Sequence, residues 1–469
     1  MENNIYENIF NQNILPKYGH FRDIIYDRHL TEENQYPHNY SINDRIIMTD
    51  VISITIDPPG CKDADDAFSV FYKNDKLFLA IHIADPTEII NLNSELWSNI
   101  KENVITHYPS NREPIHLMPE GIIELASLTV TNSYSNTELK NAISIITEID
   151  QTTYLPINNV KLEFTKIQVN KSYTFSYFDD LSQVNEVQLG LKISDALKNQ
   201  RSLKTVGTKL SDISTIYTVF NDNNIELNVD TKVVISLKQM IAEFAIFANS
   251  FVGEYLKINL DGKGIFRTCD TKNLIEQNTN LTGQGLLNQI IDKGISAEYL
   301  STINSHDLVG TPVYCHFTSP IRRLADCICH YLIRCIKLSK DIPWSNQQLD
   351  NFARICYTKT KKQRNIQYND TKFRFIQLLD SYLNNFAIDL GFRITGYTGL
   401  FLNCIINKLY LDNKEYDIQI SYTLRIPNAT SNVTLPYTSK VTISNVNPPI
   451  NYDEGAIPDL DNYLHNLIN

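Results

Sequence analysis

The sequence predicts an α+β protein with one large domain, built from a mixed sheet and surrounding helices, and a small C-terminal β-barrel. Residues 51 to about 170 carry apolar and alternating runs of strand length, and from about 180 to 390 the apolar spacing becomes helical. After 391 the pattern returns to short β-type runs separated by turns. We therefore divide the chain of 469 residues into an N-terminal extension (1–50), the large domain (51–390) and a small β domain (391–469).

The strands of the large domain are expected in two groups. Val51–Ile56 is an apolar run, and Ala67–Tyr72 and Leu77–Ile83 flank a short polar turn, which is the pattern of a hairpin. Further along, Ala142–Asp150 predicts a strand, and Val160–Val169 alternates well enough to be its neighbour.

Helices and the small domain follow from the same periodicities. Three segments predict the principal helices, namely Leu237–Leu256, Arg323–Leu338 and Tyr357–Ala387. Four β-type runs predict the C-terminal barrel, namely Phe392–Leu402, Lys408–Leu411, Tyr416–Tyr422 and Thr434–Ile443. The polar, Asn-rich extension before residue 51 is too short to form a full barrel of its own.

Composition and the N-terminal sequence predict a reduced intracellular environment. No apolar run approaches the roughly 20 residues of a membrane span, and the N-terminus lacks the basic and apolar regions of a signal peptide. The 8 cysteines show no paired CxxC spacing, so we expect free thiols. We expect a cytoplasmic monomer that contacts no membrane, with the nucleus as the alternative location.

The overall charge excludes a broadly basic nucleic-acid-binding surface. The net charge is −11 and the isoelectric point is about 5.4. An internal channel can still be locally basic, because the potential there depends on nearby charges rather than on the sum. The basic cluster from Lys359 to Arg364 is a candidate for such a channel, although a run of this kind is more often a solvated face.

Four aspartates lie in one short turn between predicted strands: Asp57, Asp63, Asp65 and Asp66. Like charges at the ends of buried strands repel one another, and a hard dication relieves that repulsion. Mg²⁺ prefers carboxylate oxygens together with retained waters. The turn therefore predicts a metal site for phosphate chemistry. The alternative is a solvated acidic loop, which is the commoner meaning of a lone acidic turn.

A second group of charged residues begins at His316 and ends at His330. Ser319 is a good N-cap and Pro320 suits the first helical position. Arg322 and Asp326 are four residues apart, so a helix starting there would place them on one face, with Asp326 holding the guanidinium. We expect Arg322 to bind phosphate near a helix start; an ordinary helical salt bridge is the alternative.

These two stretches resemble the signature motifs of the RNB family, the catalytic domain of ribonuclease II, ribonuclease R and the exosome-associated exonucleases. The first matches I-D-P-P-x-x-x-D-x-D-D-A with all four acids in place, and the second resembles H-F-T-S-P-I-R-R-Y-x-D-x-x-x-H. The resemblance covers roughly residues 45–390. It implies an RNB-type catalytic domain and an OB-like C-terminal domain, while the cold-shock barrels that precede the domain in relatives are absent or reduced here.

The resemblance also implies an activity: 3′-to-5′ hydrolysis of single-stranded RNA to nucleoside 5′-monophosphates with Mg²⁺ or Mn²⁺. Asp57, Asp63 and Asp66 are then the expected metal ligands. Asp65 is expected to serve a second metal or to orient the attacking water. Arg322 is expected to face the charge that develops on the phosphate.

Substrate contacts are implied more loosely. Tyr108 lies in a segment similar to the family's T-x-Y-L-P-x-R, whose tyrosine stacks on the terminal base. Arg112 in the same segment and Arg323 beside Arg322 are expected to contact RNA phosphates. Core or rim packing for the tyrosine and simple exposure for Arg112 are the alternatives.

Two departures from the family pattern leave a second interpretation open. Leu324 stands where the family has tyrosine, and Gln363 stands where it has glutamate. The segment from 391 to 469 is also slightly acidic, with seven acidic and five basic residues. Together with this segment and the expected loss of the barrels, the two departures favour a catalytically silent RNB-fold protein that binds RNA or a protein partner. The complete aspartate cluster favours an active enzyme. A nuclease that acts on DNA is a third, weaker alternative, since only contacts to the 2′-hydroxyl would exclude it.

Overall fold

We describe the protein from a computed structural model. It describes residues 38–443 with the exception of 109–113, 131–137, 158, 176–180, 182, 203–215, 222–223, 230–231, 272–289, 291–294, 384–387, 399–400, 412–413 and 426–436.

The first five strands form a closed barrel in the order β1-β2-β3-β4-β5. Their bounds are β1 Ile46–Asp57, β2 Asp66–Lys73, β3 Lys76–Ala84, β4 Lys140–Ile149 and β5 Lys161–Thr174. Neighbours pair antiparallel except β1 and β5, which pair parallel and close the sheet. The predicted strands and the mixed sheet are confirmed. The closure was not predicted, because it depends on pairing between the two ends of this region.

Further strands and six principal helices surround this barrel. The helices are α1 Glu95–Asn103, α2 Glu120–Ala126, α3 Asn185–Ser202, α4 Lys232–Asn259, α5 Leu324–Leu338 and α6 Asn346–Leu383. Two short hairpins pair β6 Ile216–Asn221 with β7 Asn224–Val229, and β8 Phe266–Thr268 with β9 Glu298–Leu300. The predicted helices around residues 237–256 and 323–338 are confirmed, and the one at 357–387 is confirmed as far as Leu383, since 384–387 lie outside the described residues. Both α4 and α6 begin earlier than expected.

Helix α4 packs directly against the segment that leads into the second motif. A Cβ atom on Gly253 would lie 3.3 Å from the backbone of Tyr314 and Cys315, so a larger residue would push this segment slightly away from the helix. One turn earlier on α4, Oδ1 of Asn249 accepts a hydrogen bond from the backbone amide of Phe317 at 2.8 Å. Among the described residues, α4 is the one helix long and apolar enough to cross a membrane. Its buried Glu243 and Asn249 instead mark it as a helix of the protein core.

The C-terminal strands form an antiparallel sheet in the order β12-β11-β10-β13. Their bounds are β10 Ile388–Thr398, β11 Phe401–Leu411, β12 Lys414–Arg425 and β13 Tyr437–Ile443. The predicted β character is confirmed where the structure describes it, but the bounds differ: the run 392–402 divides between β10 and β11, and 408–411 is the end of β11. Residues 399–400 and 434–436 lie outside the described residues. Closure into a barrel is not seen in this described part and stays a prediction. The predicted domain boundary at 390/391 falls inside β10.

A buried ion network ties the chain before β1 to the barrel and to α5. Arg334 contacts Asp85 at 2.5 Å and Glu88 at 2.7 Å, and Arg45 contacts the same two carboxylates. All four side chains are at most 1% exposed. Arg334 also donates to the carbonyl of Tyr40 at 2.7 Å. Since each charge has an opposite partner and further hydrogen bonds, the network can remain ionised inside the protein.

Removing one charge from this network should destabilise the fold. We expect Arg334→Met to lower the free energy of unfolding by about 3–5 kcal/mol, because two carboxylates would remain buried without that partner. Arg354 on α6 is exposed and bonds only Asn351. Arg354→Met should therefore change stability by less than about 0.5 kcal/mol. Urea unfolding of both variants measures the difference, and equal effects would contradict the importance of the network.

Candidate active site

The aspartate turn lies at one end of the barrel, between β1 and β2. Asp57 is the last residue of β1 and Asp66 is the first residue of β2. Between them Gly60 adopts a positive φ of 77°, which glycine tolerates best. The turn is fixed from the far side, where Ala64 exchanges hydrogen bonds of 3.0 Å with Ser127 and Leu128. All four acids are thus held at the same end of the barrel.

Asp65 joins the two sequence motifs. One of its carboxylate oxygens accepts a hydrogen bond from the Ile321 amide at 2.8 Å, and the other accepts one from Nε of Arg322 at 3.0 Å. These two donors lie 256 and 257 residues after Asp65 in the sequence. Burial pushes the pKa of Asp65 up, whereas Arg322 and the Ile321 amide oppose that rise. Since both oxygens accept N–H groups, we treat Asp65 as the ionised partner of Arg322. Its predicted contact with a metal or with water stays a prediction.

Arg322 keeps one edge open while Asp65 holds the other. Its Nη2 donates to Ser319 at 3.0 Å, and the side chain is still 43% exposed. Burial disfavours the charge, but the carboxylates of the turn outweigh that effect and raise the pKa of Arg322. The guanidinium is therefore charged, oriented and within reach of an incoming anion.

The predicted partner of Arg322 was wrong. Asp326 binds Arg323 instead, through two hydrogen bonds of 2.8 Å, and Arg323 is 20% exposed. The reason is that α5 begins only at Leu324, with Arg323 extended at the N-cap and bridged to Ile105. This bridge keeps Arg322 out of the helix, so the shared helical face does not form and Ser319 is not the N-cap.

Asp63 is held by two aromatic side chains. The Tyr108 hydroxyl donates to it at 3.0 Å, and Nδ1 of His116 lies 3.5 Å from the same oxygen. Burial alone would raise the pKa of Asp63, but His116, Tyr108 and Arg322 together lower it. Sequence reasoning missed His116, whose only signal was its position beside the Met118-Pro119 segment. Base stacking by Tyr108 stays a prediction, and Arg112 lies outside the described residues.

Asp57 and Asp66 form no ion pair with the described residues, although the charge of Arg322 reaches both and that of Arg323 reaches Asp66. Burial, followed by the neighbouring Asp66 carboxylate, raises the pKa of Asp57 to about 7. Burial also raises the pKa of Asp66 to about 6. A divalent cation bound between these two acids would stabilise their ionised forms and lower their pKa values.

The acids of the turn suit a Mg²⁺ ion that keeps several waters better than a metal that is coordinated entirely by protein side chains. Within the described residues, no three His, Cys, Asp or Glu side chains are already arranged around one point for a metal. Mg²⁺ commonly uses one or two carboxylates, completed by waters and substrate phosphates. Asp57 and Asp66 fit that role, because neither forms an ion pair with the described residues and burial disfavours their ionised forms. Asp63, the third expected ligand, accepts the Tyr108 hydroxyl, and its contact with a metal stays a prediction.

The remaining residues singled out in the sequence are structural. His82, in the strand β3 that follows the aspartate turn, is also structural: it is fully buried and hydrogen-bonds Ser69 and Ser144 at 3.1 and 2.7 Å. Leu324 is buried in the core, and Gln363 is 7% exposed and donates to Gln367 at 3.1 Å. Both departures from the family pattern are thus accommodated by packing.

Comparison with known proteins places this site in a family. The RNB domain model matches residues 45–338, more than half of the chain. The exosome complex exonuclease dis3 of Schizosaccharomyces pombe is 25% identical; the alignment covers 65% of this chain and 35% of that protein. The chain thus spans well under half the length of this relative.

Solved structures show the same fold. Mycoplasma genitalium RNase R, in complex with ribose methylated single-stranded RNA, superimposes with a TM-score of 0.65 at 18% identity, covering 90% of this chain and 75% of that one. Yeast Ssd1, a pseudonuclease, gives a TM-score of 0.65 at 15% identity, covering 90% of this chain and 55% of that one. At such identities the likeness concerns the fold alone.

Divalent metal should stabilise the folded protein through Asp57 and Asp66. At a Mg²⁺ or Mn²⁺ concentration 100 times Kd, we expect about 2.7 kcal/mol of added stability. This gain should be lost in Asp57→Asn and Asp66→Asn, and retained in Asp75→Asn, whose side chain is exposed on the β2–β3 turn. Thermal unfolding with and without metal measures it. An equal gain in all variants would place the metal elsewhere.

Without metal, the Asp57 carboxyl should make the protein less stable as the pH rises. In the unfolded chain this group ionises near pH 3.8, whereas in the folded protein it keeps its proton until about pH 7. The folded state therefore binds more protons in this window, and raising the pH favours unfolding. Asp57→Asn should gain stability relative to wild type between about pH 4 and 7. A constant difference across urea unfolding curves in that window would contradict this assignment.

Proposed function

The chain belongs to the RNB domain family, and on that premise we propose that it is a 3′-to-5′ exoribonuclease. It hydrolyses single-stranded RNA to nucleoside 5′-monophosphates with Mg²⁺ or Mn²⁺. The observation that carries the proposal is the half-exposed guanidinium of Arg322, which Asp65 fixes beside the other acids of the turn. A charged donor held in this way can bind a phosphate without reorganising during the reaction.

Each charged group has a distinct role in this proposal. Asp57 and Asp66 would hold a divalent ion, which supplies positive charge at the scissile phosphate and activates the attacking water when bound. Arg322 binds a non-bridging oxygen of that phosphate. Asp65 orients Arg322, and Asp63 accepts a hydrogen bond from Tyr108 and lies 3.5 Å from Nδ1 of His116. Tyr108, which lies beside Asp63, would stack on the terminal base.

A silent RNA-binding protein of the same fold is the second candidate. It is favoured by the likeness to the pseudonuclease Ssd1 and by the leucine and glutamine at positions 324 and 363. Against it stand the four aspartates, because buried like charges destabilise the fold without benefit to a protein that performs no chemistry. Cytoplasmic location and a monomeric state remain part of the proposal for either candidate.

The activity is tested with 5′-labelled single-stranded RNA and Mg²⁺. Wild type should produce a ladder that shortens from the 3′ end and should release 5′-monophosphates. Arg322→Gln should reduce kcat by about 10²–10³-fold, because it removes a charge that faces the transition state. Arg354→Gln removes an exposed charge elsewhere and should leave kcat unchanged. Asp65→Asn should lower kcat through loss of the Arg322 orientation.

Two further substrates discriminate between the candidates. A circular RNA of the same sequence should survive, since an exonuclease requires an end, and a matching DNA strand tests the need for the 2′-hydroxyl. Intact linear RNA with all metals tried, together with measurable RNA binding, would favour the silent protein. Cleavage of the circle would contradict the exonuclease.

A further inference from the structure

Arg267 is a buried cation that the proposed reaction does not yet use. It lies in the middle of β8 and pairs with Tyr299 of β9. Its guanidinium carbon is 4.6 Å from the centre of the Tyr299 ring, and the residue is 3% exposed. The side chain is therefore laid flat on an aromatic face, which orients the planar group.

No carboxylate compensates this charge in the part of the chain that the structure describes. Arg322, Arg323 and Arg334 each contact a carboxylate, whereas Arg267 forms no ion pair and no side-chain hydrogen bond with the described residues. Its nitrogens are not fully enclosed, so solvent reaches them. A buried charge without a counter-ion is costly, and an anion bound there would relieve the cost.

Arg267 lies beside the segment that leads into the second motif, because its backbone amide donates to the Tyr314 carbonyl at 2.8 Å. Burial, followed by the charges of Arg364 and Arg323, lowers the pKa of Arg267. The charges of both Arg267 and Arg322 act on His316, which begins the second motif. Two separated cations of this kind favour a polyanion over a single small anion.

The contacts behind Arg267 keep its supporting ring in place. The Tyr299 hydroxyl and Nδ1 of His316 are 2.6 Å apart, and the two rings meet edge to face at 5.4 Å. Arg323, which was expected to bind RNA, is instead committed to Asp326 through two hydrogen bonds. Of these two arginines, Arg267 is the one whose donors are unused.

We propose that Arg267 binds a backbone phosphate of the RNA strand, upstream of the phosphate that Arg322 contacts. This proposal rests on the proposed function, because it assigns a second phosphate position to the same strand. The Arg267–Tyr299 pair would fix the register of the RNA rather than take part in the chemistry, so it is a positioning contact. It should therefore affect RNA affinity and KM much more than kcat.

The test measures binding of labelled oligo(A) in the Asp65→Asn background, where hydrolysis is suppressed, over a range of salt concentrations. Arg267→Gln should weaken binding about 10- to 100-fold, the range for a lost charge-assisted hydrogen bond. It should also reduce the slope of log K against log salt by about 0.7, the value for one phosphate contact to a single strand. Arg267→Lys should keep the slope and lose part of the affinity. Arg354→Gln, the matched control, should change neither.

The outcomes separate this inference from the proposed function. If the Asp65→Asn parent binds no RNA, the proposed function fails, whereas if the parent binds and Arg267→Gln leaves both affinity and slope unchanged, only this inference fails. Thermal unfolding detects a variant that has lost its fold. In that case Arg267→Lys decides, since a purely structural cation would give wild-type affinity once folding is restored.

Discussion

The candidate site depends on one carboxylate that joins two distant parts of the chain. Asp65 belongs to the turn at the end of the barrel, and it accepts N–H groups from Ile321 and Arg322, more than 250 residues later. Nearby, the extended bridge between Arg323 and Ile105 fixes where α5 begins. Together these contacts determine that Arg322 binds Asp65 of the turn and that Arg323 binds Asp326. The reactive surface is thus a product of long-range pairing rather than of either motif alone.

The charged side chains of the candidate site are only partly paired with opposite charges. Asp63 and Asp65 accept hydrogen bonds from protein donors, while Asp57 and Asp66 form no ion pair with the described residues and burial raises their pKa. Arg322 is half exposed, and Arg267 forms no ion pair in the part of the chain that the structure describes. Each deficit would be relieved by a component of a metal–RNA complex. A protein that was only a scaffold would be more stable with these charges replaced, so their presence supports the proposed activity.

Sequence reasoning was reliable where local pattern decides structure. The hairpin of β2 and β3, the core helix α4 and the grouping of the four aspartates all follow from periodicity and spacing. It failed where a partner came from elsewhere in the chain. Asp326 was paired with Arg322 by helical spacing, yet a bridge to Ile105 moved the helix start and changed the partner. The roles of His116, Arg334 and Arg267 were likewise invisible, since each depends on tertiary neighbours.

The buried ion network also has a consequence for protein synthesis. Arg334 binds the carbonyl of Tyr40, 294 residues earlier in the chain. At translation rates of about 5–20 residues per second, the ribosome needs roughly 15–60 s to bring Arg334 to the growing chain after Tyr40. During that interval Asp85 and Glu88 have Arg45 as a partner but lack the guanidinium of Arg334. The buried ion network is therefore complete only after α5 has been synthesised.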